Sequence, residues 1–153
     1  MLTRTGFPPS RLEVELTEHA LVNDIASAKQ VIGALKKLGI RVALDDFGTG
    51  YSSLCYLSEL PFDKIKIDRS FIRTLHDRPE SAKIVSAIIG LGMSLGVPTI
   101  AEGIETERDA AVLRTMGCPF GQGFHFSRPV PASDLPEILA RLLPSASSAR
   151  AVA

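Results

Sequence analysis

The run Val42-Ala43-Leu44-Asp45-Asp46-Phe47-Gly48-Thr49-Gly50-Tyr51-Ser52-Ser53-Leu54 decides more about this 153-residue chain than any other stretch. A short apolar strand delivers two adjacent carboxylates to its C-terminal end, and a loop with two glycines follows at once. Successive side chains of a strand point to opposite faces, so both acids serve one site only if the strand ends between them. Gly48 and Gly50 supply the backbone freedom for such a turn. The same residues also suit a plain turn in which Asp45 and Asp46 accept from nearby backbone N–H groups. The surrounding sequence bears on the choice.

Outward from this run one unit recurs: apolar strand, acidic strand end, loop, helix, closing glycine. Residues 12–16 alternate as a strand. Residues 24–38 follow as a helix, with Ile25, Ala28, Ile32, Leu35 and Leu38 on one face and Gly39 as its C-terminal cap. Residues 40–44 and 62–67 form the next strands. A helix over 80–95 closes at Gly96, and 97–101 is a fourth strand. Thr106-Glu107-Arg108-Asp109 opens a further helix with capping-box chemistry, Asp standing where Glu or Gln is usual, and that helix closes at Gly117. A fifth strand is expected over 120–124 and a last helix over 132–143. Met93 and Met116 are expected in the core, and residues 145–153 form a frayed tail beyond a folded unit of 1–144.

Strands alternating with helices imply an α/β fold with parallel pairing, either an open doubly wound sheet or a (β/α) barrel. Glu15, Asp45 with Asp46, Lys66 with Asp68, Glu102 with Glu105, and Gln122 all fall at or just past strand C-termini. Barrel enzymes build their sites from the ends of several strands at that face. An open sheet concentrates its site at one switch point, often with a Gly-rich phosphate loop, and no such loop opens a helix here. The barrel is favoured, with its interior filled by layers of branched side chains.

Composition narrows the functional classes. Seventeen basic and seventeen acidic side chains cancel, so no net positive field gathers a nucleic acid polymer. Cys55 and Cys118 are far apart without CxxC spacing, which indicates two unpaired thiols rather than a zinc site or disulfide framework. The first ten residues lack the apolar core of a signal peptide. Residues 84–101 carry no charge, but Gly90, Gly92, Gly96 and Pro98 argue against a membrane span and for a buried helix followed by a buried strand. His19, His76 and His125 match no ligand pattern.

Five motifs then resemble one family. Glu15-Leu16-Thr17-Glu18, the run from Asp45 to Leu54, Lys64-Ile65-Lys66-Ile67-Asp68, Ala101-Glu102-Gly103-Ile104-Glu105 and Gln122-Gly123-Phe124-His125-Phe126-Ser127-Arg128-Pro129 resemble, in order and spacing, the EAL-domain phosphodiesterases that hydrolyse cyclic di-GMP. The resemblance implies a TIM-type (β/α)₈ barrel and two divalent ions, Mg²⁺ or Mn²⁺, at its mouth. It implies that Asp45 bridges the two metals, Glu15 binds the first and Asp46 the second, and Glu102 acts on the second directly or through its water. Lys66 would position the attacking water, with either Lys66 or Glu102 taking its proton. Asp68, Glu105 and Gln122 would be supporting residues, and Glu18 the anchor of the loop over 47–53. Linear pGpG would be the product.

Each role has a plainer alternative. Glu18 and Glu105 would also serve simply to begin helices, where carboxylates favour the positive end of the dipole. Lys66 and Asp68 would also serve as exposed partners worth at most about 1 kcal/mol.

The Glu-Ala-Leu signature that names the family does not occur in this sequence, and the family's Asn ligand lies on an earlier strand than Asn23, the only Asn. A full barrel takes roughly 250 residues, so the resemblance implies the C-terminal three-fifths of an EAL domain, about five β/α units. Two ligands of the first metal would be missing, and hydrolysis by this chain impaired. The alternatives are a module that binds cyclic di-GMP without cleaving it and a protein-interaction fragment. The partners implied are cyclic di-GMP, a second copy of the chain across an open edge, and an upstream sensor or GGDEF domain in a parent protein. The location implied is cytoplasmic, with a membrane anchor allowed in the parent.

Overall fold

The computed structural model describes residues 2–23, 25–50, 57 and 59–142. A short helix α1 (Leu2–Thr5) and a 3₁₀ turn at Pro9–Arg11 lead into strand β1 (Glu13–Thr17) and the helices α2 (Glu18–Asn23) and α3 (Ile25–Lys37). Strand β2 (Arg41–Phe47) follows, then β3 (Lys64–Ile67) and helices α4 (Arg69–Arg73) and α5 (Pro79–Leu95). The remainder is β4 (Thr99–Glu102), α6 (Glu107–Thr115), β5 (Phe120–Gln122), a 3₁₀ turn at Ala132–Asp134 and α7 (Leu135–Leu142). The sheet is parallel throughout, in the order β1-β2-β3-β4-β5. Strands that neighbour in space as they do in sequence are the pattern of a barrel wall rather than of a doubly wound sheet, whose order reverses.

The outer face of the sheet carries the core. Val42, Leu44, Ile65 and Ile67 have no exposed surface, and they meet Ile32 of α3 and Val85 of α5, equally enclosed. Truncating one such side chain to Ala costs about 2–5 kcal/mol. The expected glycine closures are present: Gly39, Gly96 and Gly117 all have positive φ. Thr106 and Asp109 exchange side-chain and backbone hydrogen bonds as a complete capping box at the start of α6.

Several expectations need correction. The inner face is not layered with branched residues. Register places Glu13 beside Arg41, Glu15 beside Ala43 and Ala43 beside Lys64, Lys66 beside Ile100 and Ile100 beside Phe120, and Glu102 beside Gln122. That face is largely charged because most branched residues of these short strands, Ile100 excepted, are used against the helices. Met93 is 66% exposed instead of core, since it lies on the outward side of α5, while Met116 packs on the core as expected. The last helical segment divides into a 3₁₀ turn and α7. The short helices α2 and α4 were not expected: five or six residues are too few to show a helical period. Asp24, Cys55, residues 51–54 of the two-aspartate run and the tail over 145–153 lie outside the described residues. Cys118 is a free thiol. Among the described residues no helix is long and apolar enough to cross a membrane.

Candidate active site at the C-terminal ends of the strands

Strand β2 does not end between Asp45 and Asp46. It continues to Phe47, and Asp46 sits at φ 54°, in the left-handed region, where the register with β3 shifts. This single bulged residue, rather than a strand terminus, lets both acids serve one end of the sheet. Asp is one of the few side chains that tolerate such a φ, and the Asp46 backbone N–H donates to Asp45 Oδ1 at 3.1 Å. Thr49 closes the following turn by donating its hydroxyl to the Asp46 carbonyl at 2.9 Å.

Lys66 stands at the centre of the cluster. Its Nζ lies 2.7 Å from Glu15 Oε1, 2.8 Å from Glu102 Oε1 and 3.0 Å from Asp45 Oδ1, and the residue is 5% exposed. The exposed-partner alternative for Lys66 is thereby excluded. Burial works against the ammonium, but hydrogen bonds to Glu102, Glu15 and Asp45 outweigh it and hold Lys66 above its ordinary value. In this arrangement Lys66 is a donor, not a proton acceptor. Glu102 is pushed up, by burial first, with Lys66 pulling it back and the charges of Asp45 and Glu15 pushing again. Burial and then the charges of Asp45 and Asp68 raise Asp46. Asp68 goes the other way: burial would raise it, but Ser70 and Asp46 hydrogen bonds hold it low.

The outer residues hold the inner ones. Gln122 Nε2 donates to Glu102 Oε1 at 2.9 Å. Asp68 caps α4, accepting from the Ser70 amide at 2.9 Å. Glu18 does open α2, as the dipole alternative required, and its carboxylate also reaches the two-aspartate loop. The Gly48 N–H donates to Glu18 Oε2 at 3.0 Å, and Glu18 is 1% exposed. A Cβ at Gly50 would lie 2.6 Å from Glu18 Oε1, so a larger residue there would displace the Glu18 carboxylate. Glu105 does not begin a helix; it pairs with Arg73 at 3.2 Å.

Beside Glu102 and Gln122 opens a cleft of about 470 Å³, lined also by Arg69, Arg73, Glu105, Phe124 and Arg128. The Arg128 guanidinium stacks 4.7 Å over the Phe124 ring. Guanidinium groups and an aromatic face suit a planar, anionic ligand. Sequence reasoning gave Arg69, Arg73, Phe124 and Arg128 no role, although Arg69 and Arg73 stand four apart directly after Asp68, a spacing that puts them on one helix face.

The donor set of Glu15, Asp45, Asp46, Asp68 and Glu102 is all oxygen, and one lysine does not neutralise it. By donor chemistry these residues fit a hard divalent cation. Among the described residues no three such side chains form a ready-made ion site. The ammonium of Lys66 occupies the place on which Glu15, Asp45 and Glu102 converge.

The family model of the EAL domain matches residues 1–129. The chain belongs to the EAL domain family. It is 49% identical over 135 residues to a signaling protein of Caulobacter vibrioides, covering 88% of this chain and 17% of that protein. It is 43% identical over 134 residues to the bifunctional diguanylate cyclase/cyclic di-GMP phosphodiesterase MucR of Pseudomonas aeruginosa, covering 88% of this chain and 20% of MucR. This EAL chain thus spans about a fifth or less of the length of these relatives. The solved MucR phosphodiesterase with cyclic di-GMP superposes with a TM-score of 0.85 at 43% identity, over 88% of this chain and 54% of that one. BlrP1 of Klebsiella pneumoniae, solved with manganese and cyclic di-GMP, gives 0.77 at 35% identity, over 84% of this chain and 33% of that one. BlrP1 has also been solved with calcium and cyclic di-GMP. The five-stranded sheet is therefore a wall of the TIM-type barrel of EAL domains.

Proposed function

We propose that this EAL chain acts on cyclic di-GMP as a metal-dependent phosphodiesterase, opening the ring to linear pGpG. The observation that carries the reading is the buried Lys66 held among Glu15, Asp45 and Glu102 at the C-terminal ends of the strands. Asp45 would bridge two ions, with Glu15 on the first and Asp46 and Glu102 on the second. Bound there, Mg²⁺ or Mn²⁺ would lower the pKa of the attacking water and stabilise the attacking and leaving oxygens.

The chain's own residues do the rest. Lys66 donates a hydrogen bond that orients the water toward phosphorus. Glu102, fixed by Gln122, receives its proton. The water oxygen bonds to phosphorus while the bond to the ribose 3′ oxygen breaks, and that oxygen takes a proton from solvent to leave as the 3′ hydroxyl. Asp68 steadies Asp46 from the side, and Glu18 holds the loop behind it. The arginine-lined cleft beside Glu102 takes a nucleotide of the dinucleotide.

A binding module that does not cleave is the second reading. What favours it is the arginine-lined cleft beside Glu102, which offers a ligand a place to bind apart from the carboxylates around Lys66. One assay separates the two: the 153-residue chain incubated with cyclic di-GMP and Mn²⁺, with products resolved by chromatography. Formation of pGpG that disappears in Asp45→Asn supports hydrolysis. Retention of intact cyclic di-GMP by the chain without product supports the binding module, and neither binding nor product overturns both.

A further inference from the structure

Two segments meet along one wall of the cleft. One is α4 with the turn that follows it; the other is residues 103–109, which lead from β4 into the first turn of α6. They touch at three places. Gly103 has φ +73°, and a Cβ there would lie 2.7 Å from the Arg69 Cβ, so its backbone packs directly on α4. Arg73 Nη2 meets Glu105 Oε1 at 3.2 Å, with both side chains about half exposed. His76 Nε2 lies 2.9 Å from Asp109 Oδ1, and Asp109 is only 8% exposed. Of the two polar contacts only the last is shielded; an exposed ion pair is screened by water and salt.

The two oxygens of Asp109 face different segments. Oδ2 accepts from the backbone N–H of Thr106 at 2.9 Å and of Glu105 at 3.4 Å, while Oδ1 takes His76. Capping α6 needs the contacts with Thr106, which form the complete capping box. The His76 contact is surplus to that task, and it ties in a residue 33 positions away. Burial would raise Asp109, yet the Thr106 and His76 hydrogen bonds keep it below its ordinary value.

We propose that His76 and Asp109 are positioning residues, clamping α4 to the 103–109 segment and so setting the spacing of Arg73 and Glu105 across the cleft wall. The clamp acts on ligand affinity, because Arg73 and Glu105 line the cleft while the carboxylates around Lys66 are held by other contacts. The ligand used to test it rests on the cyclic di-GMP reading above.

The test has two arms on the 153-residue chain. In the first, fluorescein-labelled cyclic di-GMP is titrated in calcium. His76→Leu is expected to weaken binding roughly fivefold, the scale on which residues without ligand contact modulate a site. His76→Gln, which still presents an N–H to Asp109, is expected to bind as the unaltered chain does. Thr106→Ala removes the hydroxyl that caps α6 but leaves the clamp, so it should lower the melting temperature without changing affinity. In the second arm, amide hydrogen exchange is expected to quicken in His76→Leu at both 69–76 and 103–106, and to stay unchanged in β2. Unaltered affinity in His76→Leu, or an equal loss in Thr106→Ala, overturns the clamp. If the unaltered chain binds no cyclic di-GMP, the proposed function fails instead, and the exchange arm alone decides: unchanged exchange at 69–76 overturns the clamp.

Discussion

Removing the ammonium of Lys66 leaves Glu15, Asp45 and Glu102 facing one another with no cation between them. A buried charge stripped of its partner typically costs 3–5 kcal/mol. Glu15 is half exposed and water relieves part of this, so Lys66→Met is expected to destabilise the metal-free chain by about 2–3 kcal/mol at pH 7. Glu102 is already raised by burial, and loss of Lys66 raises it further. A carboxyl whose folded value lies above its unfolded one takes up protons on folding, so stability returns as pH falls. Urea unfolding at pH 7 and pH 4.5 should therefore show a smaller gap between the two proteins at the lower pH. An equal gap at both would mean that the carboxylates do not depend on Lys66. The acids and Lys66 were legible in the sequence because their positions after apolar strands and their motif spacing both mark the same end of the sheet. The left-handed Asp46 was not legible: two acids after a strand read as its end, and only the pairing with β3 reveals a bulge.

At the scale of elements, two carboxylates tie strands to what surrounds them. Glu18 holds the loop after β2 through the Gly48 N–H. Glu18→Ala is expected to cost about 1 kcal/mol, the net worth of one hydrogen bond, since the exposed Gly48 loses its buried acceptor. Hydrogen exchange should rise at Gly48 while 42–44 stay protected; unchanged exchange at Gly48 would show that the loop is held by something else. At the opposite end of β2, Asp63 accepts from the Val42 amide at 2.7 Å and from Lys36 of α3 at 2.5 Å. Burial would raise Asp63, but Lys36 and the Val42 amide more than offset it and hold it low. A depressed folded value gives stability that is present above the unfolded pKa and lost as pH falls through the folded one. Asp63→Asn should thus cost about 1–2 kcal/mol at pH 7 and little in strong acid, as thermal unfolding across pH would report. The Asp63 ties could not be read from sequence, since Asp63 and Lys36 are 27 residues apart with nothing local to join them. The amphipathic helix α3 and the glycine closures could be read, because periodicity and caps are local signals.

For the whole molecule, the apolar surface lies in a different place from the one a barrel interior suggests. The strands turn most of their branched residues to the helices, and exposed apolar side chains gather instead at Phe120, Phe124 and Val130 and on Leu135, Leu139 and Leu142 of α7. Described residues leave β1 and β5 as the edges of the sheet, and unpaired edges invite pairing with another chain. The chain is expected to self-associate through the β5–α7 end, and Leu139→Asp to shift it toward monomer in size-exclusion chromatography with light scattering. A monodisperse monomer before any substitution would contradict this.

Calorimetric titration of Mn²⁺ into the 153-residue chain, beside Asp45→Asn, most directly tests whether the carboxylates around Lys66 are a metal-dependent hydrolytic centre. Asp45, Asp46 and Glu102 supply most of one site, so a single weak binding event that vanishes in Asp45→Asn is expected. Two tight sites would mean that ligands outside this set complete the first, and binding that persists unchanged without the Asp45 carboxylate would contradict the assignment.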